Sequence, residues 1–182
     1  MKRMFAIILA LLMLCASATA EGRDVSIDHF SLTLPSDWEI ESDPSDDGEG
    51  YQSLGFFYSP DVTGLNIEAY RIFSDDWSDT TMMGADAALQ QDYIESVLDN
   101  VAEYTPVYVD TVYTYEGIPL VVISYSDELG PLFYAETVLN GTFYCLYIYA
   151  YTDDTYSVAR ELTQEDLTLT ENILSSIRFS LF

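Results

Sequence analysis

The sequence predicts an α+β fold, in which an antiparallel β-sheet is covered by two main helices. Several short segments alternate apolar and polar residues, as half-buried strands do. Helical spacing of apolar residues occurs in two longer segments. The predicted order is strands, helix, strands, helix and a final strand, which is typical of antiparallel strands with segregated helices.

The first predicted strands precede the longer helix. Residues 24–34 alternate in polarity as one extended strand, and Pro35 ends it. Proline and glycine between the later segments favour turns. The remaining predicted strands of this half span residues 38–41, 51–58 and 65–73.

Residues 83–104 predict the longer helix, because apolar side chains four apart form one stripe along it. That stripe comprises Leu89, Tyr93, Val97 and Val101. The second helix is predicted to begin near Thr163. There Thr163 and Asp166 have the spacing of a capping box, in which the side chain of each residue accepts a hydrogen bond from the backbone N–H of the other.

Four strands are predicted between the helices. Asn140 and Gly141 form a strong two-residue hairpin signal. Both faces of the strand that follows this turn are apolar, which predicts a central position in the sheet. The predicted strands span residues 107–115, 118–125, 131–139 and 142–151, and a short strand over 178–181 closes the fold.

The beginning of the chain has the pattern of a secretory signal peptide. Lys2 and Arg3 precede an apolar run over residues 5–14, and residues 18–20 form a small-residue cleavage site. The run is shorter than the roughly 20 apolar residues of a membrane-spanning helix. We therefore expect a secreted or extracytoplasmic protein, in the bacterial cell envelope or outside the cell.

The predicted domain organisation follows from this cleavage site. Residues 1–20 are the expected signal peptide, and residues 21–182 form a single α+β domain. Lipidation at Cys15 is the alternative to ordinary cleavage after Ala20. Cys145 is then the one cysteine of the mature chain, and its position in an apolar strand predicts a buried thiol.

The charge balance restricts the partners. The chain has 31 acidic residues against 6 Lys and Arg, and its formal net charge is −25. Such a chain repels nucleic acid phosphates and anionic membrane surfaces. We expect no nucleic acid partner and no membrane insertion of the mature chain; an extracellular protein or glycan is the expected partner.

Two short motifs carry a resemblance to a known fold. The motif F-x-L-x-L-P-x-x-W of residues 30–38 is similar to the opening hairpin of the Mog1/PsbP-like fold, and I-L-S-S-I-R-F of residues 173–179 is similar to its last helix and strand. The resemblance implies a layered sandwich of antiparallel sheet and helices. Proteins of this fold include photosystem accessory proteins, a nuclear-transport cofactor and many secreted bacterial proteins. The resemblance therefore implies the fold and no single function.

An acidic loop over residues 42–50 predicts the candidate metal site. Oxygen-bearing side chains alternate before Gly48, as they do in calcium-binding loops. The twelfth position is Leu54, where such loops carry a glutamate. The candidate calcium ligands are Asp43, Ser45, Asp47 and Glu49, and a solvated acidic hairpin loop is the alternative. No other cofactor is expected.

Tyrosines crowd the second half of the chain and predict a binding face. Their rings are apolar and their hydroxyls polar, which suits carbohydrate or peptide grooves. Ordinary strands favour tyrosine as well. The predicted binding face comprises Tyr113, Tyr115, Tyr147, Tyr149 and Tyr151.

No catalytic residues are predicted. His29 is the only histidine, and no nucleophile is placed beside it by any motif. The expected function is that of a secreted, non-enzymatic binding or accessory protein whose ligand is unknown. The alternatives are a carboxylate-dependent extracellular hydrolase and a calcium-stabilised accessory subunit of the envelope.

Overall fold

The computed structural model describes residues 22–41, 51–155 and 157–180. This part of the chain has the predicted α+β architecture with two α-helices, but its antiparallel strands form two sheets where the sequence predicts one. In chain order the elements are β1 (Gly22–Ile27), β2 (Phe30–Pro35), β3 (Glu39–Glu41), β4 (Tyr51–Tyr58), β5 (Leu65–Phe73), α1 (Ala87–Asn100), β6 (Val107–Tyr113), β7 (Pro119–Asp127), β8 (Gly130–Leu139), β9 (Thr142–Tyr151), β10 (Ala159–Arg160), α2 (Gln164–Ser176) and β11 (Arg178–Phe179). Short 3-10 turns lie at Asp75–Trp77 and Ala102–Tyr104.

The first predicted strand is two strands. Instead of one extended segment over residues 24–34, β1 and β2 form a hairpin that turns at Asp28 and His29. Asp28 has a φ of 53°, and aspartate tolerates this left-handed conformation better than most residues. Strand β11 completes this smaller sheet beside β2. Strand β3 does not belong to the smaller sheet, because it pairs with β4 in the larger sheet.

The larger sheet has the strand order β3-β4-β5-β9-β8-β7-β6, with β10 paired to β9. Strand β9 is central, as its two apolar faces predict, and β4, β5 and β9 have the predicted bounds. Asn140 and Gly141 form the turn before β9, with φ values of 49° and 78°. Positive φ at both positions is what a two-residue hairpin turn requires.

Both predicted helices are present, and the first is shorter than predicted. Helix α1 spans Ala87–Asn100 within the predicted 83–104, because the Asp86 side chain caps it by accepting a hydrogen bond from the Leu89 backbone. Tyr93 and Val97 are its buried stripe, whereas Leu89 is exposed. Helix α2 begins directly after Thr163, which forms the predicted capping box with Asp166 of the first turn.

The two faces of the larger sheet are covered differently. The smaller sheet packs on one face, where Tyr144 contacts Phe30 and Phe179 at ring-centroid distances of 6.3 and 4.6 Å. Helix α2 contacts β2. On the opposite face, Trp77 meets Phe143 at 5.4 Å and Tyr93 of α1 bonds to β8. Helix α1 thus covers one end of this face, and the predicted coverage by two helices is correct only in part.

Candidate functional site

Tyrosine side chains occupy the end of the sheet face that α1 leaves uncovered. Tyr147, Tyr149 and Tyr151 lie at alternate positions of β9, so their side chains project from the same face. The antiparallel register places Glu68 of β5 on one side of Tyr147 and Tyr134 of β8 on the other. Side chains from strands far apart in the chain therefore meet here.

A hollow of about 300 Å³ lies among these side chains. We call it the tyrosine hollow, and define it by Tyr51, Glu68, Tyr70, Tyr147, Tyr149 and Tyr151, with Asp127 and Leu129 of the β7–β8 turn. Its tyrosines are all partly exposed. A volume near the lower end of the roughly 300–1,000 Å³ of ligand pockets suits a small ligand or one side chain.

The rings of the hollow hold each other in place. Tyr70 lies between Tyr51 and Tyr147, at centroid distances of 4.7 and 5.9 Å. Tyr149 and Tyr151 meet edge to face at 5.2 Å. These separations are those at which aromatic pairs attract each other. The aromatic surface is therefore formed before any ligand arrives.

Glu68 is the acceptor that unites the tyrosine hydroxyls. The Tyr149 hydroxyl donates to its Oε1 atom and the Tyr70 hydroxyl donates to its Oε2 atom. Burial, and then these hydrogen bonds, raises the pKa of both phenols above their ordinary value. The two tyrosines are therefore neutral hydrogen-bond donors at physiological pH, and Glu68 is the charged group at their centre.

A second carboxyl, that of Glu136 in β8, lies on the same face of the sheet, beneath α1. Glu136 is only 5% exposed and accepts hydrogen bonds from the Tyr93 hydroxyl, at 2.6 Å, and from the Tyr134 hydroxyl. The Cys145 thiol donates to it at 3.7 Å. Burial raises the pKa of Glu136 and that of Cys145. This cluster joins α1 to the sheet. Tyr134 links the cluster to the hollow, because its ring centroid lies 5.0 Å from that of Tyr147.

The structure brings together only three of the five tyrosines of the predicted binding face. Tyr147, Tyr149 and Tyr151 line the hollow. Tyr113 lies on the edge strand β6, where it is 52% exposed and its hydroxyl donates to Gln90. Tyr115 is 69% exposed, with the Arg178 guanidinium 4.3 Å from its ring centroid. The predicted single face is thus corrected to a hollow and two separate surface rings.

Sequence reasoning missed the contribution of the first half of the chain. Glu68, Tyr70 and Tyr51 belong to β4 and β5, which the sequence reads as ordinary strands. One signal was available, because Glu68 and Tyr70 occupy alternate positions in a strand whose other face begins with the apolar residues Leu65, Ile67 and Ala69. Their meeting with β9 depends on strand order, which alternation does not reveal.

The predicted calcium ligands Asp43, Ser45, Asp47 and Glu49 lie outside the described residues, so the calcium site stays a prediction. Among the residues that are described, no three or more His, Cys, Asp or Glu side chains are grouped to hold a metal ion. His29 is exposed, and Cys145 is buried, as predicted. In the described ranges, neither helix has the length and apolar character that crossing a membrane demands.

Comparison with known proteins gives likenesses of fold. No protein-family model and no curated protein sequence matches the chain. It is similar to the solution structure of cyanobacterial PsbP (CyanoP) from Synechocystis sp. PCC 6803, with a TM-score of 0.49 and 13% identity over 90% of this chain and 95% of that one. It is also similar to a crystal structure from Bacteroides thetaiotaomicron VPI-5482, with a TM-score of 0.46 and 15% identity over 87% of this chain. The chain spans about half the length of that protein (48%).

At such low identity the likeness concerns the fold alone. Any function has to come from the side chains of this chain.

Proposed function

We propose that this protein is a non-enzymatic binding protein that acts outside the cytoplasm, and that the tyrosine hollow is its ligand site. The observation that carries the proposal is the concave set of packed, partly exposed tyrosine rings around one carboxylate. Ligand sites typically combine a largely apolar, preformed hollow with a few polar groups that orient the ligand.

The side chains of the hollow favour binding over chemistry. The phenols of Tyr70, Tyr147 and Tyr149 have raised pKa values, so they are poor nucleophiles at physiological pH. Cys145 is buried under its neighbours, and its raised pKa keeps the thiol protonated. Neither these phenols nor the thiol is therefore activated for covalent catalysis.

A carboxylate-dependent hydrolase is the rival function. Glu68 and Asp127 both line the hollow, and such enzymes use two carboxyl groups, one of them as a general acid. The hydrolase requires that turnover be lost in Glu68→Gln and in Asp127→Asn. Binding without turnover in the wild-type protein favours the proposed function.

The proposed location rests on the signal-peptide pattern of residues 1–20, and the excluded partners rest on the charge. A formal net charge of −25 disfavours nucleic acid and anionic lipid as ligands. The ligand proposed for the hollow is therefore a small molecule, or an exposed group of an extracellular protein or glycan.

The test is to record which tyrosine rings respond to ligands. The purified protein, with ¹³C-labelled tyrosine rings assigned by single Tyr→Phe substitutions, is titrated with small ammonium compounds, neutral saccharides and aromatic compounds. We expect at least one class to shift the ring signals of Tyr147, Tyr149 and Tyr151 while those of Tyr113 and Tyr115 stay in place.

Matched variants check the location. Tyr149→Ala should abolish the response, whereas Tyr113→Ala, at an exposed tyrosine outside the hollow, should leave it unchanged. If no class shifts the hollow signals, or if the response survives in Tyr149→Ala, the hollow is not the ligand site.

A further inference from the structure

We infer that the tyrosine hollow recognises a small organic cation with a methylated ammonium group, held against the tyrosine rings beside Glu68. This inference rests on the proposed function, because it names the class of ligand for the same hollow.

The first argument is unbalanced charge. Glu68 and Asp127 line the hollow, and the described residues of its lining include no Lys, Arg or His. None of the ion pairs among the described residues involves Glu68; Arg71, in the same strand, pairs instead with Asp28. A carboxylate in a partly enclosed site without a cationic neighbour creates a negative potential that a cation would relieve.

The second argument is the aromatic surface around that charge. Phenol rings present a negative π-face, and cations bind over such faces, with several rings together forming a cage for quaternary ammonium groups. Among the residues that the structure describes, five tyrosines line the hollow: Tyr51, Tyr70, Tyr147, Tyr149 and Tyr151. Their mutual packing keeps the rings in position, so little ordering is required on binding.

The third argument separates a methylated ammonium from a primary one. Each oxygen of Glu68 already accepts a tyrosine hydroxyl, from Tyr149 at Oε1 and from Tyr70 at Oε2, which uses one of its two lone pairs. The Oδ1 atom of Asp127 already accepts the backbone N–H groups of Leu129 and Gly130. A primary ammonium needs acceptors for three N–H donors, and each donor left unpaired on burial is unfavourable. A quaternary ammonium needs no hydrogen bonds and gains from both the charge and the rings. The hollow of about 300 Å³ is small enough to favour a compact ligand.

The experiment compares choline with 3,3-dimethylbutan-1-ol, its uncharged carbon analogue of the same shape. Titrations are followed by calorimetry and by the tyrosine ring signals. We expect choline to bind about tenfold more tightly than the alcohol, because only choline gains the cation–π and carboxylate attraction. Equal affinities of the two probes, or tighter binding of the alcohol, would overturn the inference.

Glu68→Gln keeps the side-chain shape and removes the charge. We expect it to weaken choline binding about tenfold and to leave binding of the alcohol unchanged. Glu116→Gln, which removes an equal charge from an exposed turn outside the hollow, is the matched control and should bind choline like the wild type. An equal loss in the two variants would mean that choline responds only to the net charge, which overturns the site.

Tyr151→Leu provides a second variant should Glu68→Gln fail to fold. It keeps an apolar side chain at the end of β9 and removes one π-face, so choline should bind several-fold more weakly while the alcohol is unaffected. Unchanged choline affinity in Tyr151→Leu would contradict the cage.

Further arms of the experiment separate the sources of the ammonium group and the two levels of the proposal. A peptide with trimethyl-lysine, compared with the unmodified peptide, tests whether the group comes from a protein; tighter binding of that peptide than of choline would overturn the free small molecule as ligand.

If saccharides shift the hollow signals and choline does not, the cation inference fails while the proposed function stands. If no probe shifts them, both fail.

Discussion

Replacing Tyr93 with phenylalanine should reveal what the buried carboxyl of Glu136 contributes to stability. Phenylalanine keeps the ring between α1 and the sheet and removes only the hydroxyl that donates to Glu136 at 2.6 Å. Tyr93 is 3% exposed and Glu136 5%, so water does not replace the lost donor freely. Leaving a buried acceptor without one of its donors costs about 1–3 kcal/mol, and we expect a loss of that size in the free energy of unfolding at neutral pH.

The stability lost in Tyr93→Phe should depend on pH in a defined direction. Burial raises the folded-state pKa of Glu136, whereas its hydrogen bonds from Tyr134 and Tyr93 lower it. A group whose pKa is raised on folding favours the folded state most below its unfolded value, about 4.3, and this contribution is lost as the pH rises through the folded pKa. Removing the Tyr93 donor raises that pKa further, so the variant loses more stability than the wild type over the same rise. The cost of Tyr93→Phe should therefore grow from pH 4 to pH 8.

The assay is urea unfolding followed by circular dichroism at several pH values, with free energies from linear extrapolation. The matched control is Tyr108→Phe, because the Tyr108 hydroxyl lies 2.9 Å from the Thr111 hydroxyl but the residue is 40% exposed. We expect the control to change stability by less than about 0.5 kcal/mol at every pH. Equal costs for the two variants at neutral pH, or a cost of Tyr93→Phe that falls as the pH rises, would refute the reasoning.

Three further predictions concern the turn before β9, the thiol and the acidic loop. Gly141→Ala should lower the free energy of unfolding by at least about 1 kcal/mol more than Gly117→Ala does. The two glycines have similar φ values, 78° and 76°, but a Cβ at Gly141 would lie 2.8 Å from the Ser78 Cα, whereas a Cβ at Gly117 would meet open space. Equal losses in chemical unfolding would contradict this. Cys145 should resist a thiol reagent in the folded protein and react on unfolding, and fast labelling of the native state would contradict its burial. If the acidic loop binds calcium, a hundredfold excess over Kd should stabilise the protein by about 2.7 kcal/mol relative to EDTA. Magnesium should not reproduce the rise in melting temperature and Asp47→Ala should abolish it; an equal response to both ions would mean only screening of charge.

Much of the secondary structure was predictable because a strand or helix with a regular polarity pattern and a clear cap or turn gives a strong local signal. The capping box at Thr163 places the start of α2, and the Asn140–Gly141 turn places the start of β9. The hairpin at Asp28 differs from the predicted single strand because its sequence signal is small. Apolar residues lie at positions 25 and 27 and then at 30, 32 and 34, so the alternation shifts by only one position at the two-residue turn.

The candidate site was only half predictable. The alternation of Tyr147, Tyr149 and Tyr151 along one strand is a local property, and it was read from the sequence. The hydrogen bond from Tyr149 to Glu68 joins residues 81 positions apart, and no local pattern specifies such a contact. Tyr113 resembles the other tyrosines in sequence, yet its position on the edge strand separates it from them.

The sequence by itself determined the α+β class, the strong acidity, the burial of Cys145 and the central position of β9, because each depends on composition or on the polarity of a single segment. Only the tertiary structure decided that β5 pairs with β9, that α1 covers one end of the sheet face, and that Glu68 therefore meets a group of tyrosines at the other end. Strand order and helix placement follow from how all the apolar faces are buried together, and that competition among long-range contacts is not encoded in any one segment.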